Sequence, residues 1–289
     1  MKNSSPKTAQ QIQQQHQDNG KVVHNPWRQL RSFTDARISL GRAGISLPTA
    51  EMLAFQLSHA QARDAVNFPL DLAALSEQLE DFCASLLHLH SQAVDRNHYL
   101  QRPDLGRKLD QASRDQLSNY MSKAATATEL HHDIAIVIVD GLSSLAVQKN
   151  AHPFLVQLLT ILREQLEPWR LAPISLVEQG RVAIGDDIGE LLNAKVVLVL
   201  IGERPGLSSP DSLGLYLTWQ PKTGLNDACR NCISNIRPAG LSYQDAAQRT
   251  LYLLQEAKRL NLSGVGLKDR SQDDVIEHQT QTTNFLLSE

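Results

Sequence analysis

The sequence has few aromatic residues, few cysteines and no long apolar run, and each shortage excludes a class of protein. Phe, Trp and Tyr make up only 5% of the 289 residues, so the core must rest on aliphatic side chains. Three cysteines, an odd number, cannot form the disulfide framework of a small secreted domain and favour a reducing cytoplasm. Even the longest apolar runs, such as residues 196–201, are far below the roughly 18 residues that span a membrane.

The sequence also lacks the common signatures of nucleotide binding, hydrolysis and metal binding. It has no G-x-G-x-x-G after a strand, no Walker loop and no G-x-S-x-G elbow, and its ten histidines are scattered. A formal net charge of −3 gives no basic footprint for nucleic acid. The N-terminus has no apolar segment of the kind found in secretory signals. We therefore expect a cytoplasmic binding protein with no catalytic residue and no metal ligand of its own.

Composition and periodicity divide the chain into three parts. Residues 1–24 are polar, rich in Gln and without an apolar period, which predicts a flexible tail. Residues 25–98 repeat apolar side chains at helical spacing, which predicts a small helical N-terminal domain. The apolar stripe of its second helix runs from Leu72 to Leu89. The third part, residues 99–289, is predicted to be a single larger domain.

Strands alternate with helices in this third part. Two continuous apolar runs, residues 133–140 and 195–201, are typical of strands covered on both faces. Residues 213–219 resemble a third strand, and residues 242–260 a long helix. Such alternation favours right-handed crossovers. We therefore predict an α/β fold, with a Rossmann-like, mostly parallel sheet and helices on both faces.

Ligands of open α/β sheets bind beyond the carboxyl ends of the strands, and one such end is Asp-Gly-Leu-Ser-Ser at residues 140–144. Small residues there let backbone amides approach a ligand, although an ordinary strand-to-helix connection is the favoured interpretation. We expect the following helix to begin near Pro153, since the first turn of a helix tolerates proline.

A second strand end is Gly-Glu-Arg-Pro-Gly at residues 202–206. Glu203 can accept hydrogen bonds from a ligand, and Arg204 can pair with a carboxylate or a phosphate. The alternative is a mutual ion pair between Glu203 and Arg204 that only closes the loop. The sequence favours neither interpretation over the other.

Cys229 and Cys232 form a C-x-x-C. No second such pair and no nearby His pair completes a zinc site, and the position is wrong for a thioredoxin-like motif. Metal and redox functions are therefore disfavoured, and the residues after Cys232 are typical of a strand end that enters a polar loop.

Six segments resemble the small subunit of ethanolamine ammonia-lyase. The matches follow the order of that family and extend over roughly residues 25–267. Each segment alone is weak evidence for the resemblance, whereas six segments in the same order are specific for this family. The segments are residues 37–44 (RISLGRAG), 97–107 (NHYLQRPDLGR), 139–143 (VDGLS), 180–190 (GRVAIGDDIGE), 201–207 (IGERPGL) and 232–236 (CISNI).

The resemblance implies that the chain binds adenosylcobalamin through Val182, Glu203 and Cys232. Val182 would contact the corrinoid, Glu203 would accept hydrogen bonds from its amide arms, and Cys232 would pack against it without ligating cobalt. The D-x-H-x-x-G pattern of proteins that replace the lower ligand by histidine is absent. The cofactor is therefore expected to keep its own dimethylbenzimidazole ligand, with its nucleotide tail at the loop cluster.

The resemblance also implies the reaction and the partner. The reaction is the radical conversion of ethanolamine to acetaldehyde and ammonia, with the substrate and radical residues in a separate large subunit. This chain would be the small subunit of a higher-order hetero-oligomer in the cytoplasm, with a bacterial microcompartment as a further location, and without a nucleic acid or membrane partner. Two alternatives stay open: a stand-alone nucleotide- or phosphate-binding α/β enzyme, and a structural adaptor of a microcompartment.

Overall fold

The computed structural model describes residues 25–80, 82, 86–124 and 131–271. The chain divides into two compact units, Met1–Ala60 and Gln61–Glu289. The tail predicted for residues 1–24 lies outside the described residues, and the predicted domain limits stay predictions.

The first unit contains a 3-10 helix, Pro26–Ser32, and the beginning of helix α1, Thr49–Asn67. The Asn25 side chain caps the 3-10 helix by accepting a hydrogen bond from the N–H of Trp27. Arg31 donates two hydrogen bonds to the Glu51 carboxylate, at 2.7 and 3.1 Å. This bidentate pair joins the two helical segments within the unit.

A six-stranded sheet forms the centre of the second unit, with the strand order β1-β3-β2-β4-β5-β6. The strands are β1 (Leu86–His90), β2 (His132–Val139), β3 (Ile174–Glu178), β4 (Ala194–Gly202), β5 (Leu213–Trp219) and β6 (Arg230–Ile236).

The sheet is mixed rather than mostly parallel. Strands β1, β3, β2 and β4 pair in parallel, whereas β5 runs antiparallel to β4, and β6 to β5. Residues 203–212 join β4 to β5 without a helix, and this connection is shorter than the dozen or more residues that a parallel return needs. The α/β class is therefore confirmed, but the Rossmann-like parallel arrangement needs this correction.

Helices cover both faces of the sheet. Helices α5 (Ser144–Arg163) and α7 (Tyr243–Leu260) pack on the face that includes Ile136 and Ile138, and helices α4 (Gln111–Ala124) and α6 (Ile184–Leu191) pack on the face that includes Val137 and Val139. None of the helices in the described part of the chain is long and apolar enough to cross a membrane. After α1, the helices are α2 (Leu72–Leu79), α3 (Arg96–Gln101), α4 (Gln111–Ala124), α5 (Ser144–Arg163), α6 (Ile184–Leu191) and α7 (Tyr243–Leu260).

The predicted helix through Leu89 is wrong in its second half. Helix α2 ends at Leu79, and β1 is an edge strand of the sheet. Leu87 and Leu89 are buried while His88 between them is exposed, which is the alternation of a strand. Short apolar runs do not separate helix from strand by periodicity alone. The purely helical character predicted for residues 25–98 is therefore not confirmed.

The predicted start of α5 near Pro153 is also wrong. The helix begins at Ser144, and the Ser143 hydroxyl caps it by accepting a hydrogen bond from the N–H of Ala146 at 3.2 Å. Pro153 lies inside the helix, where a proline ordinarily costs about 3 kcal/mol. Its neighbour Phe154 and the rest of the buried stripe offset that cost through apolar burial.

Candidate functional site

The carboxyl ends of β2, β3 and β4 meet at one edge of the sheet, the edge at which open α/β sheets bind ligands. Asp140, Gln179 and Glu203 directly follow these strands. The chain leaves β2 for α5 on one face and leaves β3 for α6 on the other face. Because these adjacent connections diverge, a crevice forms between them.

The buried carboxylate of Asp140 joins the loops that follow β2 and β3. It accepts hydrogen bonds from the N–H groups of Gly141 (2.8 Å), Gln179 (2.9 Å) and Gly180 (3.2 Å). The guanidinium of Arg96 lies 3.8 Å from its second oxygen. Burial raises the pKa of Asp140 to about 6, although these N–H groups and Arg96 favour the charged form. Asp140 therefore positions the loops that border the crevice.

Ser143 is occupied by contacts within the fold. Its hydroxyl donates a hydrogen bond to the carbonyl of Pro210 at 2.8 Å and also caps α5. The side chain is buried. This agrees with the favoured interpretation of residues 140–144 as a structural connection.

A cleft of about 440 Å³ lies beside these loops. It brings together Val182 and Glu203, two of the three predicted cofactor-binding residues. Pockets of roughly 300–1,000 Å³ enclose drug-sized ligands, so this cleft can take a small ligand or one part of a larger ligand. The lining residues are Tyr99, Leu142, Arg181, Val182, Ile201, Gly202, Glu203, Arg204 and Tyr216.

Within the described part of the chain, one oxygen of the Glu203 carboxylate accepts hydrogen bonds and the other accepts none. Oε2 accepts hydrogen bonds from the Ser212 hydroxyl and from the N–H of Asn235 at 3.3 Å. Oε1 accepts none from the described residues and is available to a donor in the cleft. Within the same residues, Glu203 forms no ion pair with Arg204. The structure therefore does not support the mutual ion pair that the sequence left open.

Cys232 lies next to the cleft rather than in its lining. It is in the middle of β6 and opposite Tyr216 of β5, so the predicted strand end at Cys232 is wrong. Burial raises the pKa of the half-buried Tyr216 hydroxyl, whereas the neighbouring Cys232 side chain is exposed. Cys229 and Cys232 belong to no metal-binding group among the residues that the structure describes.

Four side chains in or beside the cleft were not singled out from the sequence: Tyr99, Arg181 and Tyr216 line it, and Arg96 stacks on Tyr99. Tyr99 and Arg181 belong to segments that carry the family resemblance, and that is the signal that could have identified them. Tyr216 offered no signal because it lies within an apolar strand, where a tyrosine is ordinary. Arg96 lies at the beginning of α3, and only the fold reveals that its guanidinium reaches the Gly141 carbonyl and Asp140.

Comparisons with known proteins agree on one family. The family model of the ethanolamine ammonia-lyase light chain matches residues 24–268. An ethanolamine ammonia-lyase small subunit from Pseudomonas fluorescens (strain Pf0-1) is 59% identical over 91% of this chain and 95% of its own length. The small subunit from Pseudomonas aeruginosa (strain UCBPP-PA14) is 57% identical over 92% of this chain and 96% of its own length. The one from Pseudomonas syringae pv. tomato (strain DC3000) is 55% identical over 93% of this chain and 91% of its own length. The chain therefore belongs to the ethanolamine ammonia-lyase light chain family.

Proposed function

We propose that this chain is the small subunit of ethanolamine ammonia-lyase and binds adenosylcobalamin together with a large catalytic subunit. The observation that carries the proposal is the cleft beyond β2, β3 and β4, which contains Val182, Glu203 and Tyr216, the residue of β5 that pairs with Cys232 of β6. The relatives are named small subunits, which supports a larger partner for this chain as well.

The chemistry of the cleft fits a corrinoid, which combines an apolar ring system with amide arms. Val182 and the ring of Tyr216 offer apolar surface, and Oε1 of Glu203 can accept an amide N–H. A volume of about 440 Å³ is small for so large a cofactor, so the cleft would receive only part of it. The remainder would lie against the large subunit, in a site that both subunits share.

The lower axial ligand of the cofactor is proposed to be its own dimethylbenzimidazole. Among the residues that the structure describes, no histidine lines the cleft. This supports the same conclusion as the absent D-x-H-x-x-G pattern, since a protein ligand to cobalt would be expected from a histidine near the corrinoid.

The residues of this chain would bind and orient the cofactor and exclude water from it. Adenosylcobalamin, when bound, supplies a carbon-centred radical from its cobalt–carbon bond. Glu203 would fix an amide arm, while Val182, Tyr216 and Cys232 would pack against the cofactor. The large subunit would hold ethanolamine and supply the groups that convert it to acetaldehyde and ammonia.

A higher-order hetero-oligomer in the cytoplasm, with a microcompartment as a further location, is part of the same proposal and rests on the family. A stand-alone nucleotide-binding enzyme and a structural adaptor are disfavoured because the relatives are named subunits of a lyase. Both alternatives predict that this chain does not alter cobalamin binding by a co-expressed large subunit.

Glu203→Gln tests the proposal at the free oxygen. A glutamine carbonyl can replace Oε2 toward Ser212 and Asn235, and its NH₂ then stands where Oε1 was. An acceptor becomes a donor, so cobalamin affinity of the assembled complex should fall about tenfold or more, measured by equilibrium dialysis. The thermal midpoint of the complex should change little.

Ser212→Ala is the matched control, because it removes a partner of Oε2 and leaves Oε1 in place. It should reduce thermal stability more than cobalamin affinity. Wild-type complex that binds no adenosylcobalamin, or lyase activity of this chain alone with the cofactor, would contradict the proposed subunit function.

A further inference from the structure

The cleft is lined by two arginines that have no carboxylate partner among the described residues. Neither Arg181 nor Arg204 forms an ion pair with any residue that the structure describes. Arg204 is exposed and has no hydrogen-bond partner within these residues either. Both guanidinium groups therefore keep donors available for a ligand, since each carries five N–H donors.

The position of Arg181 is fixed by Tyr99. The Arg181 guanidinium carbon lies 4.0 Å from the centre of the Tyr99 ring, and Nη2 donates a hydrogen bond to the Tyr99 carbonyl at 3.0 Å. Arg96 stacks on the same ring at 4.6 Å. The charge of Arg96 is balanced by Asp140 at 3.8 Å, whereas no carboxylate of the described part of the chain pairs with Arg181. The stack thus presents one preorganised and uncompensated guanidinium to the cleft.

Unpartnered buried polar atoms concentrate at this stack. Native proteins satisfy about 90% or more of such groups, and each exception calls for an explanation. Among the described residues, six buried side-chain atoms lack a hydrogen-bond partner, and four of these belong to the residues around Tyr99. The four atoms are Arg96 Nη2, Tyr99 Oη, Gln179 Oε1 and Arg181 Nε.

Gln179 adds strain at the same place. It has a φ of 55°, in the left-handed region that costs most non-glycine residues free energy. The backbone N–H of Gln179 is fixed there by the Asp140 carboxylate at 2.9 Å. Arg181 follows two residues later, so the strained segment sets the direction in which its side chain enters the cleft.

The charged side chains that line the cleft are Arg181, Arg204 and Glu203, which together leave one positive charge. A guanidinium matches two oxygens of a phosphate with parallel N–H donors. A phosphodiester carries one negative charge and would neutralise the cleft. We propose that Arg181 and Arg204 form a subsite for a phosphodiester, with Arg181 as the fixed contact and Arg204 as the exposed one.

This inference rests on the proposed function and extends it by naming the occupant. Adenosylcobalamin has one phosphodiester, in the loop that connects the corrin ring to its nucleotide. Arg181 and Arg204 would hold that loop, while Val182, Glu203 and Cys232 would contact the corrinoid. A free phosphate ester offers the same chemistry, so the experiment must distinguish these two sources.

The test compares cyanocobalamin with dicyanocobinamide, which lacks the phosphodiester and the nucleotide. Affinities are measured by equilibrium dialysis on the complex with the large subunit. Arg181→Gln should weaken cobalamin binding about 10- to 100-fold, as expected for a charge-assisted hydrogen bond, and leave cobinamide binding unchanged. Arg204→Gln should act in the same direction and less strongly, because its side chain is exposed.

Arg163→Gln is the matched control, since Arg163 is an exposed arginine in the last turn of α5 and has no place in the cleft. It should change neither affinity. Cobinamide binding also reports whether the Arg181 variant is folded, and Arg181→Lys, which keeps the charge and loses the fork, should lie between wild type and Arg181→Gln.

Equal losses for both corrinoids, or no loss for either, would overturn the phosphodiester subsite and leave the proposed function intact. Failure of the wild-type complex to bind cobalamin would instead overturn the proposed function. If cobinamide binding is too weak to measure, inorganic phosphate serves as competitor. Phosphate should weaken cobalamin binding to wild type and not to Arg181→Gln. Equal competition in both proteins would reject the subsite.

Phosphate that binds at Arg181 but does not compete with cobalamin would assign the two arginines to a free phosphate ester and reject the cofactor as their ligand.

Discussion

Gly141 and Gly202 lie against each other at the ends of β2 and β4. A Cβ atom on Gly141 would stand 2.3 Å from the carbonyl oxygen of Gly202, and one on Gly202 would stand 2.0 Å from the carbonyl oxygen of Ser143. The close contact also brings the Leu142 N–H within 2.9 Å of the Gly202 carbonyl, to which it donates a hydrogen bond. The two strand ends can lie this close because neither position carries a side chain.

Alanine at either glycine should therefore distort this edge of the sheet. Gly202→Ala and Gly141→Ala place a methyl group against backbone that has no room to move, and Gly141 also has a φ of 61°. We expect losses of about 1–3 kcal/mol or more in the free energy of unfolding, measured with urea. Gly266→Ala is the control, because its nearest neighbour would lie 3.5 Å away. Equal stability of all three variants would contradict this close contact.

Asp140 should make stability depend on pH in an unusual direction. Its pKa is raised from 3.8 to about 6 in the folded state, so the folded protein binds a proton before the unfolded chain does. The stabilisation is fully present below pH 3.8 and is lost as the pH rises through about 6. The group should therefore add up to about 3 kcal/mol to the free energy of unfolding as the pH falls.

Asp140→Asn removes this titration, so the stability difference between wild type and the variant should widen from pH 7.5 to pH 4.5. Asp104→Asn is the control of opposite sign. Hydrogen bonds from Arg102 lower the pKa of the exposed Asp104, so the difference between wild type and this variant should not widen as the pH falls. A constant difference for Asp140→Asn in urea titrations would show that the carboxyl does not titrate in this range.

The ion pair between Arg230 and Asp186 should be sensitive to loss of one partner. Its two hydrogen bonds measure 2.6 and 2.8 Å, and both side chains are buried, with 2% and 1% exposure. Arg230→Ala leaves a buried carboxylate unpaired and should cost about 3–5 kcal/mol in urea unfolding. Lys258→Ala, which breaks an exposed pair with Glu167, should cost less than about 1 kcal/mol.

A double variant with apolar residues of similar size, Arg230→Met with Asp186→Leu, should be more stable than Arg230→Ala. No buried charge then stays unpaired. A double variant as unstable as the single one would show that the pair contributes mainly through its geometry, including the bond from Arg230 to the Thr218 hydroxyl at 3.1 Å.

The N-terminal residues are expected to be dispensable for folding. Residues 1–20 have no apolar period, so their deletion should leave the thermal midpoint and the cobalamin affinity of the complex unchanged. Differential scanning calorimetry of the truncated and full-length chains tests this. A clear decrease in the midpoint would mean that these residues contribute to packing.

The continuous apolar runs made the central strands predictable from sequence. Residues 133–140 and 195–201 correspond to β2 and β4, and residues 213–219 have the same bounds as β5. The direction of the strands was harder to predict from the sequence. The length and helix-free character of residues 203–212 do indicate a hairpin-like return, but alternation of strands and helices elsewhere favoured a parallel sheet.

The candidate site was predictable only in part. The resemblance pointed to Val182 and Glu203, which line one cleft, yet the position of Cys232 beside Tyr216 depends on the register between β5 and β6. The stack of Arg96, Tyr99 and Arg181 joins residues of α3 with a loop after β3, and no local pattern predicts such a contact. Long-range packing decides it.

The mixed sheet also has a consequence for the order of folding. Leu200 of β4 pairs with Leu215 of β5, whereas Leu86 of β1 must find Ile174 of β3, far along the chain. Because closing a long loop costs more entropy than closing a short one, the β4–β5–β6 meander should form early and β1 should dock late. Glu203 lies in the β4–β5–β6 meander, which forms early. The stack on Tyr99 follows β1 in the chain and therefore requires the late docking step. We therefore expect the cleft to become competent for its ligand only in the last stage of folding.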